Sequence, residues 1–325
     1  MGTMEREAIL QKFTTRVIDC SEMVDWAKQL GWDVDYQQFD RGRFDATFSA
    51  LLGERLLIVN EQFNRGLIMT GTPPPDTISI IFNWGRQDLG NFQGRQVDPC
   101  EALFMRPGEE GFLRAAGCRS VTVSVRRKNL ADALWIHDRW QLATHLGETG
   151  AVAFPPELVD QLKTLLAGAF GEACSAESNR RVEDSFLQLV AAGLSVPPGN
   201  PTHPRRSGNR YRCVLDARNF IETKIGADFG VGDVARAVGV TSRTLQSAFG
   251  EVLGLRPVEY IRLNRLNKIR AALLGRRDRE RTTGETAAAH GLHHQGIFSR
   301  DYKALFGELP SETGSTRATG RTSRG

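Results

Sequence analysis

"DVARAVGVTSRTLQSAF", Asp233 to Phe249, sets two short Ala-rich apolar runs on either side of "GVTS". Read as helices, the first ends at Gly239 and the second opens on Thr241 and Ser242. Leu245 and Phe249 stand four residues apart and give the second helix an apolar side, away from which lie Arg243, Gln246 and Ser247. Ala235 supplies a small side chain where two helices cross closely, and Gly239 permits the positive φ that a tight turn needs. That is the build of a helix-turn-helix, whose second helix lies in the major groove with its early residues at base edges. Ordinary αα-hairpins share this loose pattern, so one copy alone says little.

A second copy exists. "ARAVG" (Ala235–Gly239) returns 52 residues on as "AAAHG" (Ala287–Gly291), and "GLRP" (Gly254–Pro257) returns 53 residues on as "GELP" (Gly307–Pro310). Leu245 and Phe249 correspond to Phe298 and Tyr302. Between the copies runs "PVEYIRLNRLNKIRAALL", Pro257 to Leu274, with proline at the favoured first helical position. Val258, Ile261, Leu266, Ile269 and Leu273 form its expected apolar stripe, and Arg262, Arg265, Lys268 and Arg270 lie off it. A helix of that length spans roughly 27 Å. It would let two reading helices enter groove segments about 34 Å apart on one face of a duplex.

Charge separates the chain in the same way. The 325 residues carry a net charge of +4. From Arg205 onward the balance is +10, and before it −6, so the last third is the part suited to a polyanion. "VPPGNPTHPRRSGN", Val196 to Asn209, holds four prolines and two glycines and reads as a linker. The expected domains are therefore 1–195, the linker 196–209, a helical DNA-binding domain 210–313, and an unanchored tail 314–325.

Within the first domain, residues 41 to 126 alternate short apolar, β-branched runs with turn signals, the pattern of a small antiparallel barrel or sandwich. Helical periodicity covers Ser21–Leu30, Asn129–Leu146, Pro156–Phe170 and Ala176–Leu194. The fold class expected is α+β: a small antiparallel, cupin-like β-barrel with flanking helices, then an all-α domain of two helix-turn-helix units joined by a linker helix. The stripes Leu158–Leu166 and Val182–Val190 would serve a dimer seam or pack on their own barrel, and the sequence leaves both open.

The segment from Arg210 to Thr313, through "DVARAVGVTSRTLQSAFGEVLGLRPVEYIRLNRL" and "AAAHGLHHQGIFSRDYKALFGELPSET", resembles the AraC/XylS family of bacterial transcription regulators. The resemblance covers about a third of the chain. It implies promoter DNA as a partner, RNA polymerase as another, a small-molecule effector, and a homodimer. It places Ser242, Arg243, Gln246 and Ser247 at the groove from the first reading helix, and His294, Gln295, Gly296, Ile297 and Ser299 from the second. Arg243 suits a guanine, Gln246 or Gln295 an adenine, and Ile297 a thymine methyl. Arg262, Arg300 and Lys303 are better placed as phosphate ligands, which set register. Two departures stand out: Thr286 occupies a place the family gives to an aliphatic residue, and Gly296 is a bare position. The sensor stretch "YQQFDRGRFDATFSALLGERLLIVNEQFNRGL" is similar to that of ethanolamine-operon activators.

Phe44, Phe48, Phe82, Trp84 and Arg86 are the candidate effector-pocket residues, with simple core filling as the alternative. "GVGDVA" (Gly230–Ala235) matches a dinucleotide fingerprint, but no strand precedes it. No histidine lies before His137, which argues against metal-dependent cupin chemistry. The five scattered cysteines include no Cys-x-x-Cys pair and read as reduced thiols. There is no run of about 18 apolar residues and no basic-then-apolar leader, so no membrane association and a cytoplasmic location are expected. No enzyme activity and no cofactor are expected. A barrel enzyme with a DNA-binding appendage, or a nonspecific architectural DNA binder, fit the residues less well.

Overall fold

A computed structural model describes residues 11–85, 90–136, 150–171, 176–194, 207–275 and 281–313. The expected linker 196–209 falls mostly outside them, as do Arg86, His137, His145, Cys174 and the tail from 314.

The first domain is built on strands β1 (Gln11–Val17), β2 (Asp33–Gln38), β3 (Ala46–Leu52), β4 (Leu56–Phe63), β5 (Leu67–Thr72), β6 (Thr77–Asn83), β7 (Asn91–Phe92), β8 (Arg95–Gln96), β9 (Glu101–Met105), β10 (Gly111–Ala115), β11 (Arg119–Arg126) and β12 (Gly150–Ala153). They pair antiparallel in two sheets, a seven-stranded one in the order β1-β3-β4-β11-β6-β9-β12 and a five-stranded one in the order β2-β5-β10-β7-β8. The expected closed barrel is not formed. Among the described residues the edge strands do not hydrogen-bond across from one sheet to the other, so the described strands form an open two-sheet sandwich.

Period-2 alternation decides what each strand buries, because successive side chains leave a strand on opposite faces. In β6, Ile81 enters the core between the sheets, whereas Ile80 and Phe82 face outward onto a helical layer. That layer consists of α2 (Arg127–Ile136), α3 (Pro156–Gly171) and α4 (Ala176–Leu194). Val159, Leu162 and Leu166 of α3 and Phe186, Leu187 and Val190 of α4 bury against the seven-stranded sheet. The two stripes therefore pack on their own domain. Helix α1 (Cys20–Gln29) covers the other core with Met23 and is capped by the Asp19 carboxylate, which accepts the Ser21 amide at 2.8 Å.

The second domain comprises α5 (Ser207–Thr223), α6 (Val231–Ala237), α7 (Ser242–Leu253), α8 (Pro257–Gly275), α9 (Thr283–Ala289) and α10 (Gln295–Phe306). It rests on the outer face of the five-stranded sheet, where Ile68 of β5 and Phe112 of β10 join Val214, Ile221, Val252 and Tyr260 in one apolar cluster. Fully burying one such side chain contributes roughly 1.5–3 kcal/mol. The layers thus run helices, seven-stranded sheet, five-stranded sheet, helices.

Helix α8 departs from the single stripe expected of it. Ile261, Leu266 and Ile269 are buried, but Val258 is 55% exposed, and Tyr260, Asn264, Asn267 and Arg270 are buried as well. The helix is a central rod touched on several sides, with a helix-turn-helix unit near each end and the sensor domain along its flank.

Candidate nucleic-acid interface

The two units repeat each other down to the hydrogen bonds. In the first, Gly239 (φ 71°) follows α6; its amide bonds to the Arg236 carbonyl at 3.2 Å, and the Val240 amide bonds to the Ala235 carbonyl at 3.0 Å. In the second, Gly291 (φ 78°) follows α9; its amide bonds to the Ala288 carbonyl at 3.0 Å, and the Leu292 amide bonds to the Ala287 carbonyl at 2.9 Å. Both are Schellman closures, which satisfy the last carbonyls and need a left-handed residue. Ala235 and Ala287 are 3% and 0% exposed, so neither site has room for a larger side chain. Each reading helix then ends on a second left-handed glycine, Gly254 or Gly307.

Helix α7 starts where Thr241 accepts the Thr244 amide at 3.1 Å. Leu245, Ala248 and Phe249 bury its inner side, while Ser242, Arg243, Gln246 and Ser247 are all exposed. In α10, Phe298 and Tyr302 bury the inner side, while His294, Gln295, Gly296 and Ile297 are exposed and Ser299 is half-buried. Ile297, 47% exposed, is an apolar side chain held toward solvent in the middle of a polar face. A Cβ built on Gly296 would meet nothing within 4 Å, so the bare position is a gap in the outward face. Thr286, at the place expected for an aliphatic residue, donates its hydroxyl to the Thr282 carbonyl at 3.0 Å and so buries without an unpaired group.

The cations meet the expectation less evenly. Arg300 and Lys303 are exposed on α10. Arg262 forms an ion pair with Asp301, which ties α8 to α10. The remaining basic residues of α8 face protein: Arg265 donates to the Gly291 and Ala227 carbonyls and lies over the Phe229 ring, and Lys268 lies 3.7 Å from Asp35. Arg270 is buried between Asp19, its ion-pair partner, and Glu308 at 2.9 Å, over the Phe306 ring. Burial is the largest influence and works against its charge, but Asp19, Tyr302 and Glu308 together outweigh it and the guanidinium stays firmly protonated.

Other bonds join the domains. Gln38 and Asn267 exchange two hydrogen bonds of 3.0 Å, and the Gln38 side-chain amide donates to the Leu305 carbonyl at 2.9 Å. Arg218 of α5 donates to the Tyr260 hydroxyl at 3.1 Å and to Thr70 of β5 at 3.3 Å. No spacing in the sequence pairs these residues across the two domains.

Of the aromatic residues expected at an effector site, Phe48 lines a cavity of about 70 Å³ between the sheets. Phe44 is buried in the same core without lining it, and Arg86 lies outside the described residues. Phe82 and Trp84 belong to the opposite core, because strand alternation puts Ile81 on the cavity side. The residues that line the cavity and were not foreseen include Trp32, Tyr36, Glu61, Met69, Phe92 and Leu113. Glu61 had a signal: in "IVNEQF" it shares the inward phase with Val59 and Phe63.

Comparison with known proteins agrees with this geometry. A helix-turn-helix domain family matches residues 234–316. The XylDLEGF operon transcriptional activator 2 of Pseudomonas putida is 33% identical over 132 residues, which cover 41% of this chain and 84% of that protein. The chain belongs to the AraC family of transcription regulators. A further relative of this AraC-family regulator, the XylDLEGF operon transcriptional activator of P. putida, is 25% identical over 225 residues, 69% of this chain and 70% of that one. Among solved structures, an AraC-type regulator from Chromobacterium violaceum matches at 27% identity with a TM-score of 0.32, covering 34% of this chain and 97% of that one. The AraC-like activator CuxR matches at 16% identity and a TM-score of 0.45, over 86% of this chain and 100% of that one. As a member of this family the regulator is a DNA-binding protein, and its own structure shows an N-terminal sheet domain and a C-terminal helical domain. Among the described residues, no helix is long and apolar enough to cross a membrane.

Proposed function

We propose that this regulator reads two successive major-groove segments of a promoter and that a small molecule held between its sheets sets whether it does so. The observation that carries the reading is the duplicated unit, closed by the same turn twice and presenting an exposed hydrogen-bonding face each time. Ser242, Arg243, Gln246 and Ser247 read one segment, and His294, Gln295, Gly296, Ile297 and Ser299 the next. Arg300 and Lys303 hold phosphates; Arg262 does so only by exchanging Asp301 for DNA. In this reading residues 1–195 sense, 196–209 link and 210–313 bind DNA. The names of its relatives make activation the preferred output, with RNA polymerase as partner, a cytoplasmic location, and a homodimer on two half-sites.

The five-stranded sheet supports the sensing half. Tyr36, Met69, Leu113 and Phe92 form one cross-strand row that lines the cavity. The adjacent row, Asp35, Thr70 and Phe112, meets Lys268, Arg218 and the helical core on the other face. A ligand that shifts the first row must move the second, because rigid strands carry both. The test is equilibrium binding of the full chain to its own promoter and to random DNA across salt concentration. Preference for the promoter by about 10³-fold or more, with steep loss of affinity at high salt, bears the reading out. Equal affinity for both at every salt concentration overturns it.

A further inference from the structure

The cavity between the sheets has a chemistry of its own. Trp32, Phe48, Phe92, Leu30, Met69 and Leu113 make its walls apolar and aromatic. Its volume of about 70 Å³ is roughly half that of an apolar cavity of about 150 Å³ that holds benzene, so a ligand with one ring enters only as the surrounding side chains give way. Glu61 of β4 reaches this space while only 7% exposed. Its Oε1 accepts the Tyr36 hydroxyl at 3.0 Å, and no Lys, Arg or His stands among the lining residues. Nor does a salt bridge reach Glu61 among the described residues.

A carboxyl group this deep without a counter-ion is costly to the fold. Desolvating an unpaired carboxylate is unfavourable, and apolar residues of similar volume at such a position generally cost less. Tyr36 supplies one hydrogen bond where a carboxylate can accept several. A buried ionisable group facing a concave, largely apolar space is a binding-site candidate. The missing partner is a donor, and a positive one is favoured doubly. It would pair with Glu61 and lie against the faces of Trp32, Phe48 and Phe92, which attract cations.

We propose that the effector of this regulator is a small organic amine with an apolar body, its ammonium group bound by Glu61 and the Tyr36 hydroxyl and its body enclosed by Trp32, Phe48 and Phe92. The proposal rests on the sensing role given above to the same cavity and adds the class of ligand. Carboxylic acids are disfavoured wherever Glu61 is ionised, since their anion would then face it with no cation to offset the repulsion.

The probes are benzylamine, benzyl alcohol and benzoate, nearly equal in size and differing in charge. Calorimetric titration of the full chain at pH 8, with Trp fluorescence as a second readout, is compared between wild type and Glu61→Gln. Benzylamine binds wild type more tightly than benzoate by about 10- to 100-fold, the range of one charge-assisted hydrogen bond. Glu61→Gln, which keeps the shape and an acceptor for Tyr36, removes that preference while leaving benzyl alcohol within about twofold. Benzoate binding as tightly as benzylamine, or benzylamine binding unchanged by Glu61→Gln, overturns the amine assignment and leaves the sensing cavity standing. Failure of all three probes to bind overturns the sensing role along with it.

Discussion

Glu61 and Arg243 show how much one side chain decides. Burial raises the Glu61 carboxyl to about 7, with the Tyr36 hydrogen bond pulling weakly the other way. Besides Tyr36 of β2, the titratable group near it is Cys118, whose thiol burial also pushes upward. The folded chain therefore holds a proton between about pH 4.5 and 7 that the unfolded chain has released, and stability falls as pH rises through that window. The loss is at most about 3 kcal/mol. Denaturant unfolding at pH 5 and pH 8 checks it: wild type loses stability over that interval by more than Glu61→Gln does, and equal losses contradict the assignment. Arg243 is exposed and free of intramolecular ion pairs among the described residues, so its replacement leaves the fold intact. Arg243→Ala should cost about 1–3 kcal/mol of promoter affinity and relax one base position, whereas Lys303→Ala should weaken all sequences alike. Binding to a set of single-base promoter variants separates the two patterns.

At the scale of elements, two glycines with equally empty surroundings make opposite predictions. A Cβ at Gly250, inside α7, or at Gly239, in the turn before it, meets nothing within 4 Å. Gly250 has helical backbone, so Gly250→Ala should stabilise by about 0.8–1 kcal/mol. Gly239 sits at φ 71°, so Gly239→Ala should destabilise by about 1–2 kcal/mol. Thermal unfolding of both variants tests the turn directly. The duplicated unit was legible in sequence because both of its constraints, a small residue at the crossing and a left-handed glycine, restrict residue type. The boundaries of α1, α3 and α4 fell within a residue or two of the expected ones for a related reason, since a one-sided helix writes its period into the sequence. Helix α8 was misread where that logic fails. A rod packed on several sides has no single stripe, and Arg270 looks like any surface arginine until Asp19, 251 residues away, is placed against it.

For the molecule as a whole, the joint between domains adds specific polar contacts to the apolar cluster around Ile68 and Phe112. Arg270, Asp19 and Glu308 bind the sensor domain to the second unit, and Gln38 and Asn267 bind it to α8. Arg270→Met leaves Asp19 buried without its cation and should cost about 3–5 kcal/mol. Adding Asp19→Asn should recover part of that loss in urea unfolding, and a purely additive double variant contradicts the pairing. Such long-range partners were not legible, and the choice between barrel and sandwich stayed open, because strand alternation fixes which face is buried but not whether sheet edges meet. The most direct test of the account is a hydroxyl-radical footprint of the full chain on its promoter. Two protected windows about 10–10.5 base pairs apart on one face of the duplex, with the second lost when α10 is stripped of Gln295 and Ile297, are the predicted result. A single window that persists in that variant would contradict it.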